Sequence, residues 1–280
     1  MLVSRTFLHH QAHGGIDIPL RTLLHCLSPG GPRGRLTVLI FHRVRASPDP
    51  LFPHEPDAQA FEQQMRWVRR WFEPLPLEEA VALLQAGRLP PRALCITFDD
   101  GYRDVLVNAL PVLERYGFTA NVMLVSGHIG GRNVWESAEV DKVRLLGQDD
   151  LEAMMGRGVA FGSHGVTHRP LTFLSADEAR REVEGSREAL ERLLGLEVRS
   201  FSFPHGRSSP AIRDMVRKAG YLAACGIEQR EHSLFNLCRV DAAACRGNWF
   251  LWRWKVSGLH HRLRQSRMLR RARGFLGGRP

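Results

Sequence analysis

Long apolar runs are missing from this chain: nowhere do its 280 residues reach the ~20 consecutive apolar positions that a membrane-spanning helix requires. The N-terminus, with Arg5, His9, His10 and His13, also lacks the apolar stretch of a signal peptide, so an intracellular location is expected. Cysteine is scarce and unpatterned. Cys26, Cys95, Cys225, Cys238 and Cys245 are odd in number and show no C-x-x-C spacing, which argues against a disulfide framework and for a reducing compartment. Cys95 and Cys225 fall in apolar, strand-like runs, where a thiol is ordinarily a small core residue. Acidic residues are absent from one region. From Arg246 to Pro280 there are ten Lys and Arg and no Asp or Glu, and the remaining 29 basic residues are matched by 29 acidic ones. The whole net charge of +10 therefore sits in the tail. A neutral body excludes a broad nucleic-acid-binding face and leaves local attraction between the tail and an anionic surface.

What the chain does have is a repeating rhythm. A hydrophobic fraction of 44% is ample for a packed core. Residues 1–35 are irregular and include the breaker cluster Pro29-Gly30-Gly31-Pro32, so they read as an N-terminal extension. Strands are expected over residues 36–41, 93–98, 119–125, 159–162, 198–203, 221–225 and 235–240. Helical spacing separates them: Phe61, Met65, Val68 and Phe72; Leu77, Val81 and Leu84; Leu106, Leu110 and Leu113; residues 148–156; and 210–219. Ser175 with Glu178 three residues on forms a capping box that opens a helix running to Gly195. Strands alternating with helices imply a parallel sheet, and about seven repeats imply an incomplete, distorted (β/α) barrel over residues 36–245. Residues 246–280 then form a basic C-terminal helical appendage.

The polar clusters all follow strand ends: His42, Asp99-Asp100, His164 with His168, and Pro204-His205-Gly206. In such barrels the chemistry lies at that rim. Two histidines and one aspartate make a site for a borderline-soft divalent ion with a position left open, and the second aspartate is free to take a proton. Neighbouring residues at a strand end point in different directions, so only one of the two carboxylates need be a ligand.

Taken together, Thr97–Tyr102 (TFDDGY), Ser163–His168 (SHGVTH) and Phe201–Gly206 (FSFPHG) resemble three motifs of the polysaccharide deacetylase family, metal-dependent carbohydrate esterases that remove N-acetyl groups from amino sugars. The likeness spans about residues 36–240. It implies Asp100, His164 and His168 as metal ligands, Asp99 as general base, and one divalent ion, Zn²⁺ or a similar ion such as Co²⁺. It also implies substrate contacts from Tyr102, Pro204, His205 and Gly206. The chain departs from the family pattern in two places. The usual late Leu-Leu-His, which supplies the general acid, is not apparent after Tyr221, whereas Leu39-Ile40-Phe41-His42 has its shape at the other end of the domain. First and last strands are neighbours in a closed barrel, so His42 becomes the acid, as in the poly-N-acetylglucosamine deacetylase subgroup. Where many members carry an Arg that orients the base, this chain has Ser202, and Arg199 lies on the opposite strand face.

The implied activity is removal of N-acetyl groups from an amino-sugar polysaccharide or glycolipid, with a lipid-linked glycan among the expected substrates. O-deacetylation, hydrolysis of another amide, and a non-catalytic glycan- or membrane-binding module stay open as rivals. Trp249, Trp252 and Trp254, interleaved with basic residues, suit either peripheral contact with an anionic membrane or a cover for the barrel. No nucleic-acid partner is expected, and the location implied is cytoplasmic or peripheral on the inner membrane surface. Trp135 reads as a loop anchor or a sugar-stacking ring.

Overall fold

The computed structural model describes residues 28–136, 142–227 and 233–245, together with Cys26, Asn248 and Trp252. Residues 1–25, which hold the His9, His10 and His13 cluster, lie outside the described residues, as does the basic tail apart from Asn248 and Trp252. Eight parallel strands are present: β1 Thr37–Phe41, β2 Glu73–Pro74, β3 Ala93–Phe98, β4 Ala120–Leu124, β5 Val159–Ser163, β6 Ser200–Ser202, β7 Ala223–Gly226 and β8 Leu237–Asp241. β1 pairs with β3 on one side and β8 on the other, so seven strands close a ring. The two-residue β2, which sequence patterning did not reveal, pairs with the start of β3. The barrel is one strand short of the eight-stranded form.

Helices wrap the ring: α1 Ala58–Trp71, α2 Leu77–Gln85, α3 Leu110–Tyr116, α4 Gln148–Met154, α5 Ala176–Leu194 and α6 Pro210–Lys218. Their starts are chemically marked. Asp57 accepts from Ala60 N at 2.7 Å ahead of α1, and Ser175 and Glu178 form the expected reciprocal cap of α5. Such a cap is worth about 1 kcal/mol. The helix expected from Tyr102 is not uniform: Val105–Ala109 is a π turn, and regular α-helix begins at Leu110. Pro111 has no N–H to bond one turn back, which favours a new helix start there over a continuous one.

Strand alternation sorts the core into two layers. Leu39, Phe41, Leu94, Ile96, Phe98, Phe201 and Phe203 pack outward against α1 and its neighbours, with Phe41 stacked on Phe98 at 5.5 Å. Val38, Ala93, Cys95, Met123, Ala223, Cys225 and Leu237 face inward, and Leu77, Ala80 and Val81 of α2 join them. Small inward residues suit a narrow ring. At Gly162 any Cβ would collide with Met123 and Ser200. Cys95 and Cys225 are thus core residues, and burial pushes both thiols up, Cys225 to about 11.

Two segments outside the expected 36–245 barrel are tied to it. Residues 28–35 are not loose: Gly31 N donates to Leu89 O at 2.7 Å and Arg92 N to Ser28 O at 2.9 Å. Trp252, inside the presumed appendage, is 1% exposed and packs on Trp67 and Phe72 at 5.3 and 5.8 Å. That tryptophan covers the barrel's outer layer. No helix among the described residues is long and apolar enough to cross a membrane.

Candidate active site

The inward face of each strand supplies the site as it emerges at the C-terminal rim. On β3 the inward series Ala93, Cys95, Thr97 continues to Asp99. Register places Phe41 beside Phe98, so His42 stands level with Asp99, and Asp99 N donates to Phe41 O at 2.9 Å. The strand then breaks. Asp100 and Gly101 take left-handed φ values of 71° and 72°, which swings the second carboxylate away from the first. Among the described residues four non-glycines have positive φ, and three of them, Asp100, His168 and His205, are in this site. Such backbone is costly away from glycine and persists where its surroundings hold it.

Asp100, His164 and His168 converge, with one ligand atom from each within 4.8 Å of the others and all three side chains buried. Asp100 Oδ1 lies 3.3 Å from His164 Nε2 and 3.2 Å from His168 Nε2. His164 Nδ1 is 2.8 Å from Ser202 O. A carbonyl only accepts, so Nδ1 carries a proton, and Nε2 is the atom that would serve as a ligand once the ring is neutral. The buried Asp100 carboxylate and the two Nε2 atoms form a donor set that a cation would satisfy. Asp-His-His also matches the donors of an open Zn²⁺ or Co²⁺ site. Burial alone would lower the His164 pKa, but the Asp99 and Asp100 carboxylates outweigh it and hold it above the ordinary value.

Asp99 is kept out of that set by a residue that sequence reasoning did not single out. Arg239 of β8 donates from Nη1 to Asp99 Oδ1 and from Nη2 to Asp99 Oδ2, both at 2.6 Å, and from Nη2 to Ser202 Oγ at 2.9 Å. Ser202 Oγ donates to Asp99 Oδ2 at 3.0 Å. Burial works to raise the Asp99 pKa, yet Arg239 and then His164 outweigh it, so the carboxyl sits below its usual range. Arg199, excluded on strand parity, pairs instead with exposed Glu197. The signal for Arg239 was present: Leu237 and Arg239 share the inward parity of a strand, where a charge demands a partner.

His42 is exposed at the rim, and its positive charge would lower the pKa of both Asp99 and Asp100. Of the expected substrate contacts, His205 alone is exposed, its ring 4.7 Å from that of His168, and burial and then the His168 charge depress its pKa. Pro204 and Gly206 are buried in the turn. Tyr102 is 3% exposed and its hydroxyl accepts from Asn133 Nδ2 at 3.2 Å; it anchors the loop after β4 instead of facing substrate. Trp135 of that loop lies against His168 with ring centroids 4.4 Å apart, so it walls that side of the cluster.

Residues 86–224 match the family described as polysaccharide deacetylase. The chain belongs to the polysaccharide deacetylase family. The Bacillus subtilis protein YxkH is 24% identical over 212 residues, covering 74% of this chain and 71% of that protein. A poly-beta-1,6-N-acetyl-D-glucosamine N-deacetylase of Staphylococcus epidermidis is 28% identical over 158 residues, 53% of each. The chain thus spans about half the length of that N-deacetylase. Among solved structures, the Streptococcus pyogenes deacetylase PplD in complex with acetate superposes with a TM-score of 0.66 at 20% identity, covering 79% of this chain and 97% of that one. The shared fold therefore covers more of the chain than the matched 86–224 segment.

Proposed function

We propose that the chain is a divalent-metal-dependent hydrolase that removes N-acetyl groups from an amino-sugar polysaccharide. One observation carries the proposal: Asp100, His164 and His168 gather in a buried cluster beside a second carboxylate, Asp99, that is separately clamped by Arg239. The relatedness to an N-deacetylase of poly-beta-1,6-N-acetyl-D-glucosamine supports the substrate class.

Asp100, His164 and His168 would hold the ion. When bound, it would polarise the acetamide carbonyl and make a nearby water acidic. Asp99, ionised and oriented by Arg239 and Ser202, would receive the proton of the attacking water. His42, level with Asp99 on the adjacent strand, would donate a proton to the departing amine. Trp135 and His205 would limit access from the side of His168. The basic residues from Arg246 onward extend the proposal to peripheral contact with an anionic membrane, which co-sedimentation with anionic and neutral vesicles would test.

The deciding experiment measures acetate and free amine released from N-acetylglucosamine oligomers by metal-loaded protein, beside Asp99→Asn and an O-acetylated glycan. Acetate with equimolar amine, lost in Asp99→Asn, is expected. Acetate from the ester alone would make the chain an O-deacetylase, and glycan binding without release in either protein would leave a binding module.

A further inference from the structure

Glu182 is a buried acid that the chemistry above does not use. It lies on α5, 7% exposed, in the buried stripe of Ala179, Val183, Ser186 and Leu190. Among the described residues it has no cationic partner; three donors from one short loop meet it instead. Glu182 Oε2 accepts from Val166 N at 2.7 Å and Thr167 N at 2.9 Å, and Oε1 accepts from the Thr167 hydroxyl at 2.5 Å. Val166 and Thr167 both lie between His164 and His168.

We infer that Glu182 is the positioning residue of the metal site, fixing the loop that presents His164 and His168 to Asp100. The inference rests on the proposed metal role of those three residues. His164 has its own support in the Ser202 carbonyl, but His168 does not. Its Nδ1 is buried without a partner, so it lacks the hydrogen bond that usually orients a metal-binding imidazole. Its backbone is also left-handed, with φ at 63°. Among the described residues the direction of its ring therefore depends on contacts with Trp135, His164, His205 and Asp100 and on the loop just before it, which Glu182 holds at the adjoining residue. A buried carboxylate without a counter-charge is expensive, and it persists where another requirement imposes it. The loop is shaped around that carboxylate. Gly165 has φ at 82°, and a Cβ there would come within 3.0 Å of Glu182 Oε2; Thr167 contributes both its amide and its hydroxyl. The small residue and the hydroxyl in SHGVTH are thus accounted for by Glu182, as its two histidines are by the ion.

Metal affinity is the readout. Full-length protein, stripped with chelator, is titrated with Zn²⁺ against a chromophoric chelator and with Co²⁺ by visible absorption. Wild type is expected to bind one ion, and Glu182→Ala to bind it about 10–100-fold more weakly. Glu182→Gln, which keeps an acceptor for the two backbone amides, should fall between them, and Thr167→Val should lose a few-fold. Saturating metal should restore most of the activity of Glu182→Ala, which general damage to the barrel would not allow. Wild-type affinity in Glu182→Ala overturns the inference. If that variant does not fold, wild-type affinity in both Glu182→Gln and Thr167→Val overturns it equally. A wild-type protein that binds neither ion removes the metal assignment itself, a different failure from unchanged affinity in the variants.

Discussion

Arg239 grips both carboxylate oxygens of Asp99 at 2.6 Å, from the opposite end of the chain's barrel and 140 residues away in sequence. Both side chains are almost fully buried, at 1% and 2% exposure. The pair is parallel and two-pronged, the geometry in which a guanidinium binds a carboxylate most strongly. Ring closure makes it possible, because β8 lies against β1 and β1 against β3.

Removing that guanidinium should act on stability and on pH dependence together. Breaking a buried pair from one side costs about 3–5 kcal/mol, so Arg239→Met should show a clearly lower urea midpoint. The sign of the pH effect follows from the depressed Asp99 pKa. Its stabilisation is present above the unfolded carboxyl value and is lost as pH falls through the lower folded value. Without Arg239 burial dominates, Asp99 titrates higher, and the acid limb of kcat/KM should move to higher pH. An acid limb that stays in place would show that Asp99 is not the base. The paired change Ser202→Arg with Arg239→Ser should recover part of the lost rate.

Chelation gives the second test. Ligands that bind only the folded state raise its melting temperature, so a stripped protein should melt lower and regain stability when Zn²⁺ or Co²⁺ returns. Asp100→Asn and His164→Ala should abolish that gain, because each removes one of three converging donors. An identical metal-induced shift in both variants would place the ion elsewhere.

Asp104 offers a prediction independent of any ion. It accepts from Arg43 Nε at 2.6 Å and from Val44 N at 3.4 Å, tying the segment after His42 to the start of the helix after β3. Burial lifts its pKa to about 6 even though Arg43 opposes the rise. A raised carboxyl favours the folded state most below the unfolded value near ~3.9 and loses that advantage as pH climbs through about 6. Relative to wild type, Asp104→Asn should therefore gain about 2 kcal/mol between pH 4 and pH 7 in urea unfolding. A constant difference across that range would mean the Arg43 pair keeps Asp104 ionised throughout.

The strands, Asp99-Asp100 and the His164/His168 pair were legible in the sequence because each is set by a short local pattern at a strand or its end. ALCITF is apolar on both faces because both faces are buried, and β3 spans the expected 93–98. His164 and His168 are close in sequence, behind a strand end, so their convergence with Asp100 needed only the barrel rim. Arg239 and Glu182 were hidden because each is ordinary in type and belongs to no recognisable motif, and Arg239 also lies 140 residues from its partner Asp99. Glu182 sits among several acids on α5, and only its place on the apolar stripe with Val183, Ser186 and Leu190 marks it as buried. Arg239 is one basic residue among 39 Lys and Arg, distinguished by the inward parity of a strand. The two-residue β2 carries too little pattern to be seen at all.

His42 is the assignment that rests most on position, and leaving-group chemistry isolates it. An amine must be protonated as it departs, whereas an alkoxide from an acetyl ester leaves more readily without help. If His42 supplies that proton, His42→Ala should lose about 10²–10⁴-fold in kcat on an N-acetyl substrate and much less on an activated acetyl ester. Metal affinity should hold, since His42 is outside the Asp100, His164 and His168 cluster. The acid limb of the amide pH profile, set by Asp99, should stay. Equal losses on ester and amide would instead make His42 a residue that shapes the surroundings of Asp99 and Asp100 without donating a proton.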